Sequence, residues 1–201
     1  MTTAGFDEQW TATAVAQLRD RGVEFASGMT DSDRAAIEAR FECPIPPELS
    51  MFLRAGVPVS PKSARWTEGT DLVAVESRQW LRRDLRLRHR AHRLLAPPPR
   101  TSPRRPLRRD RAELAIVAQA PTLFPICSHR FLVSLPAEGP RAVLSVWQAV
   151  DSIFYGNDLA DYLATEFGID RPDWAADEPP RVPVWEDLFD LFGEWNTDEA
   201  T

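Results

Sequence analysis

The sequence predicts an α+β fold: a single domain spanning 1–201, in which an antiparallel sheet is packed by N-terminal, central and C-terminal helices. Two observations predict it. Between residues 121 and 155 the apolar runs LFPIC, RFLVS, AVLSVW and SIFY are separated by turn-forming residues, the pattern of neighbouring strands joined by short connections. On either side, apolar residues return every three or four positions between recognisable caps, the signature of helices with one buried face. A chain of 201 residues with 43% hydrophobic content is long enough to bury a core without staples.

Residues 7–21 place Trp10, Ala14 and Leu18 at steps of four, with Gly22 as a stop, so a first helix is expected there. Thr30 offers a hydroxyl cap, with Asp33 three residues on completing a capping box. Ile37 and Phe41 then mark the buried face of a second helix over about 31–42. In the third, Pro47 suits the first turn, Glu48 complements the helix dipole, Leu49, Phe52 and Leu53 form the stripe, and Gly56 ends it. Residues 57–75 read as loop, with LVAV at 72–75 as a candidate strand and Trp66 capping the core. AELAIVAQA at 112–120 reads as a helix stopped by Pro121. After the strands, Asn157 or Asp158 caps a helix in which Leu159, Tyr162, Leu163 and Phe167 recur until Gly168. The tail from 170 to 201 is acidic, and its VWEDLFDLFGEW at 184–195 reads as an amphipathic helix that docks on the domain.

The formal net charge of −6 hides an asymmetry. Residues 76–111 carry thirteen arginines against three acids, a surplus of ten that leaves −16 on the rest of the chain. APPPRTSPRRP at 96–106 cannot continue a helix, and a poorly ordered Arg/Pro-rich segment is expected over about 84–111. The acidic remainder argues against general affinity for nucleic acid, which needs a cationic face, and favours a basic partner. The run 78–111 carries the alternative reading, a nucleic-acid-associated protein, but it lacks aromatics for base stacking after Trp80, and solvated coil explains it better. The N-terminus MTTAGFDEQW has acids where a signal peptide needs bases, and no apolar stretch approaches the length of a membrane span. A cytoplasmic protein with no membrane partner is expected.

Candidate chemistry gathers in PICSHR and FYGND. Cys127 and His129 stand two apart in a strand reading, which would put them on one face as a thiolate and its base, yet no third orienting group is identifiable. A buried cysteine and a histidine bonded to backbone or a carboxylate is the preferred reading. Cys43 is remote in sequence and forms no CxxC pair with Cys127, so neither a disulfide framework nor a zinc site is indicated. His89, His92 and His129 have no ligand spacing, and neither metal nor cofactor is assigned. Asp151, Asp158 and Asp161 suggest paired carboxylates, but the last two fall in a helix's first turn, where capping explains them. Arg130 suits a carboxylate or phosphate on a ligand, or else a salt bridge to an acid such as Asp151.

Several segments together carry a family resemblance. PPELSMFLRAGVP followed by Trp66, then APTLFPICSHRFLV, AVLSVWQAVDSIFYGNDLADYL and RVPVWEDL, resemble in wording, order and spacing the SUKH superfamily of Smi/Knr-like proteins. The resemblance implies an α+β domain with no established catalytic activity or cofactor, which works by binding a partner protein. Fungal relatives regulate cell-wall synthesis, and many bacterial relatives are immunity proteins that neutralise a toxin. A basic toxin would suit the acidic remainder of this chain. Once structural duties are assigned, His129, Arg130, Asp151 and Tyr155 are left as the candidate partner-binding residues. The chain departs from the family where an acidic, aromatic segment is usual and the Arg- and Pro-rich run stands instead. A one-base shift in reading GC-rich DNA would produce such a run, and sequencing the locus decides between the two.

Overall fold

The computed structural model describes residues 5–64, 66, 120–148, 151–183 and 185–186. Over them the chain is α+β, with four helices, a two-stranded sheet and a four-stranded antiparallel sheet. The LVAV strand, the 112–120 helix and the Arg/Pro-rich run expected from sequence lie outside the described residues, as does the tail helix beyond 186.

Helix α1 (Glu8–Asp20) starts at Asp7, whose side chain accepts from the Trp10 backbone N–H at 2.8 Å. Its buried stripe is Thr11, Ala14, Val15 and Leu18, so the face is rotated from the one that Trp10, Ala14 and Leu18 suggest. Trp10 is left at the edge, half-buried against Phe6 and Trp174 at ring-centroid distances of 4.7 and 5.2 Å. Helix α2 (Asp31–Phe41) carries the expected capping box. Thr30 Oγ1 accepts from the Asp33 N–H at 3.1 Å, and Asp33 Oδ2 accepts from the Thr30 N–H at 2.9 Å. Those bonds hold the Asp33 carboxyl below its ordinary range.

Helix α3 (Pro47–Ala55) has Pro47 in its first turn and buries Leu49, Phe52 and Leu53, together with the acid Glu48. Two short strands frame it, β1 (Phe25–Ala26) and β2 (Val57–Pro58), paired antiparallel. Neither is visible as a strand in the sequence, because two residues show no period and the pairing partners are more than thirty positions apart. A Cβ at Gly28 would stand 1.8 Å from the Arg54 carbonyl oxygen, so only glycine permits this approach, which the Met29 N–H bond to the Leu53 carbonyl (2.8 Å) secures.

The main sheet is a meander, β3 (Leu123–Cys127), β4 (Arg130–Val133), β5 (Val143–Gln148) and β6 (Asp151–Gly156), in that spatial order. Each strand falls on one of the apolar runs. One face contributes Phe124, Leu132 and Val143 to the same core as the helices. Phe41 stacks between Trp66 and Phe124 there, at 6.3 and 4.7 Å. The other face presents Leu123, Val133 and Leu144, also at 3% exposure or less but outside that core. Burial on both faces is why AVLSVW is apolar at nearly every position rather than alternating.

Helix α4 (Leu159–Phe167) packs on β6 and ends at Gly168 in the left-handed region. Its cap is Asp158, buried at 4% exposure, with Oδ1 accepting from the Asp161 N–H at 2.8 Å and Oδ2 from the Ala176 N–H at 2.7 Å. Arg171 bonds Asp161 Oδ1 (2.8 Å) and the Ala176 carbonyl (2.8 Å), so the segment after the helix folds back as a strap over its N-terminus. Asp158 and Asp161 therefore hold the chain together. At Gly156 a Cβ would meet Tyr162 Cβ at 2.6 Å, which requires glycine where β6 passes this helix.

Asp158 has a measurable signature. Burial raises its carboxyl above the usual range, against the pull of its backbone hydrogen bonds. Ionising it thus costs more in the folded than in the unfolded chain. The penalty is absent below the ordinary carboxylate pKa, where both states are protonated, and grows as pH rises through the elevated native value. Asp158→Ala is expected to cost about 2 to 4 kcal/mol, from a lost cap and a lost charge-assisted bond. For Asp158→Asn, the wild type's advantage in urea midpoint is expected to shrink between about pH 3 and about pH 7. An advantage that grows with pH would contradict this assignment.

Candidate functional site

The candidate residues gather where the β3–β4 hairpin meets β5, β6 and α4. Strand β3 ends at Cys127 and β4 begins at Arg130, so Ser128 and His129 form the turn itself. Cys127 and Arg130 are register partners across it. This corrects the expectation that Cys127 and His129 share a strand face: the chain reverses between them. Ser128 adopts φ +52, uncommon for a non-glycine residue, and its N–H bonds the Lys62 carbonyl at 2.6 Å. The Ser128 hydroxyl lies 3.0 Å from His129 Nδ1. Residues 62–64 run beside the hairpin, with the Ala64 N–H donating to the Ile126 carbonyl at 3.1 Å.

Arg130 crosses the sheet towards α4. Its guanidinium carbon sits 3.6 Å from the centroid of the Tyr155 ring, and Nη1 donates to Ser145 Oγ at 2.8 Å. Nε lies 3.9 Å from Glu166 Oε2 on α4, and the Arg130 side chain is only 13% exposed. Among the described residues the acid beside it is Glu166, because β4, β5 and α4 converge on one face. The register Arg130, Ser145, Ile153 aligns three strands there, and Ile153 emerges at their end with 54% exposure. Asp151 begins β6, and its side chain lies outside the described residues.

Tyr162 and Cys127 complete the cluster. Tyr162 is fully buried, its hydroxyl finds no hydrogen-bond partner of good geometry among the described residues, and its ring packs against Tyr155 at 6.1 Å and Phe167 at 6.2 Å. Burial, reinforced by Cys127 and Glu166, drives its phenol well above the usual tyrosine range. Burial and then Glu166 also push the Cys127 thiol up, only partly offset by Lys62, Tyr162 and Arg130. The thiol therefore stays protonated near neutral pH, its less nucleophilic form. Chemically the arrangement is a cation held over an aromatic ring beside an ion pair, next to a neutral thiol and a neutral phenol. It suits holding or recognition more than proton transfer.

Of the sequence candidates, the structure brings Arg130 and Tyr155 together and places His129 on the adjoining turn. Sequence reading missed Glu166 and Ser145. Glu166 falls four residues after Tyr162, on the side of α4 that faces the sheet, and that spacing was the available signal. Among the described residues, no three His, Cys, Asp or Glu side chains converge as metal ligands, and no helix is long and apolar enough to cross a membrane. No family model, curated protein or solved structure matches the chain.

Proposed function

We propose that the chain is a non-catalytic, cytoplasmic SUKH-type binding domain, an immunity or regulatory protein whose partner is another protein. The observation that carries this reading is where the family-like segments fall. PPELSMFLRAGVP covers α3 and β2, APTLFPICSHRFLV covers β3, its turn and β4, and the third segment covers β5, β6 and the start of α4 as far as Leu163. These three segments fall in chain order on helices and strands of the α+β fold. The protonated thiol and the internally bonded Arg130 fit a scaffold for binding better than a nucleophilic centre. A basic toxin is the partner whose charge complements the acidic remainder of the chain.

The second reading, a nucleic-acid-associated protein acting through 78–111, rests on the thirteen arginines of the run 76–111. One experiment separates the two. A tagged full-length chain is expected to capture from native lysate a protein encoded beside its own gene, in a complex that survives nuclease treatment. Capture of nucleic acid instead, weakening steeply with salt and lost on deleting 78–111, would replace the first reading with the second.

A further inference from the structure

A second surface, on the flank of α1 beside its buried stripe, carries its own recognition chemistry. A groove of about 170 Å³ lies between α1 and residues 169–172, walled by Trp10, Ala14, Ile169 and Pro172. A cavity of ~150 Å³ accommodates one benzene, whereas cofactor and drug-sized sites run to ~300 Å³ and beyond, so this groove takes one side chain. Its charge comes from Asp170. Gln17 fixes that residue twice: Gln17 Nε2 donates to Asp170 Oδ2 at 2.8 Å, and Gln17 Oε1 accepts from the Asp170 N–H at 2.9 Å. Thr13 also lines the groove but turns its hydroxyl onto the Gln9 carbonyl at 3.0 Å, so it adds no competing donor. Trp10 is set in place by its ring contacts with Phe6 and Trp174.

Two bases next to this segment, Arg21 and Arg171, are already engaged. Arg21 bonds the Phe167 carbonyl at 3.2 Å, and Arg171 points to Asp161 and Asp177. What remains is an indole wall beside a positioned carboxylate, the pairing that recognises a planar cation by ring attraction and ion pairing together. We infer that this groove seats an arginine side chain of a basic partner protein, an assignment that rests on the binding function proposed above. Arginine fits better than lysine because its flat guanidinium lies against an indole while its N–H fork reaches a carboxylate.

The test uses the ¹⁵N-labelled full chain titrated with N-acetyl-arginine amide and, separately, with its uncharged citrulline analogue. The Trp10 indole and Gln17 side-chain signals are expected to shift saturably with the arginine probe, at a dissociation constant on the order of millimolar for one anchored side chain. Asp170→Asn keeps an acceptor for Gln17 while removing the charge, and is expected to weaken the titration about threefold to fivefold. Equal shifts from citrulline, no saturable shift, or an unchanged affinity in Asp170→Asn would each overturn the inference. The captured partner separates this claim from the functional one. If Asp170→Lys releases it, both stand, and if Asp170→Lys retains it, the groove is not its seat while the binding function survives. If no protein partner is captured but the arginine probe still binds, the functional reading falls and the groove remains an arginine site. A concentration-dependent dimer of the purified chain that Asp170→Lys dissolves would overturn the inference by making a second copy the occupant.

Discussion

Glu48→Ala is expected to destabilise the folded chain by about 3 to 5 kcal/mol, a large fraction of the ~5 to 15 kcal/mol that holds a typical domain together. Glu48 and Arg141 are each 2% exposed, and Arg141 Nη1 reaches both carboxylate oxygens, at 2.9 and 2.8 Å. Arg141 also donates to the carbonyls of Ala137 and Gly139, so it ties the loop between β4 and β5 to the first turn of α3. There Glu48 additionally faces the positive end of the helix dipole. Removing the acid leaves a guanidinium buried with its charge uncompensated, and that, more than the loss of attraction, sets the size of the effect. The double replacement Glu48→Leu with Arg141→Met removes both charges together and is expected to cost less than Glu48→Ala alone. Urea unfolding at constant m-value reads both variants. A Glu48→Ala cost below about 1 kcal/mol, or a double variant worse than the single, would show that the pair is not an isolated buried charge couple.

Trp185→Ala is expected to cost a similar amount, about 3 to 5 kcal/mol, through the cavity left by a fully enclosed indole. Trp185 is 2% exposed and Val182 fully buried, while Glu186 Oε1 accepts from the Val182 N–H at 2.8 Å, so the start of the acidic tail is built into the folded chain. For a chain of this length the loss corresponds to a fall in Tm of about 6 to 20 °C. Truncation after Pro180 removes Val182 and Trp185 together and is expected to lower Tm at least as far. An unchanged melting temperature after either change would mean that the tail contributes nothing to the fold.

Much of the candidate region is legible before any coordinates, and what is legible is local. Thr30 with Asp33, Pro47 at the start of α3, and Asp158 with Gly168 at the ends of α4 each act within one or two helical turns, so residue spacing alone reveals them. Each strand of the main sheet is likewise marked by its own apolar run and its own turn. What residue spacing did not reveal is where the chain reverses and what packs against it. The Cys127–His129 pairing assumed a strand continuing through residues that instead reverse direction at Ser128. Glu166 reaches Arg130 from α4, a contact without a local signature in the chain, and the buried face of α1 is centred on Thr11, Ala14, Val15 and Leu18 rather than on the Trp10 side.

The sequence by itself determined the α+β class, the helix caps and the strand positions of the main sheet, since those depend on backbone hydrogen bonding and apolar period over a few residues. Tertiary structure alone decided that Glu48 meets Arg141 across 93 positions, that Arg130 is held between Tyr155 and Glu166, and that Trp10 and Asp170 share a groove. Charges and rings carry no address in the chain: which of them meet is set by how packed elements cross, and burial then fixes how strongly they interact.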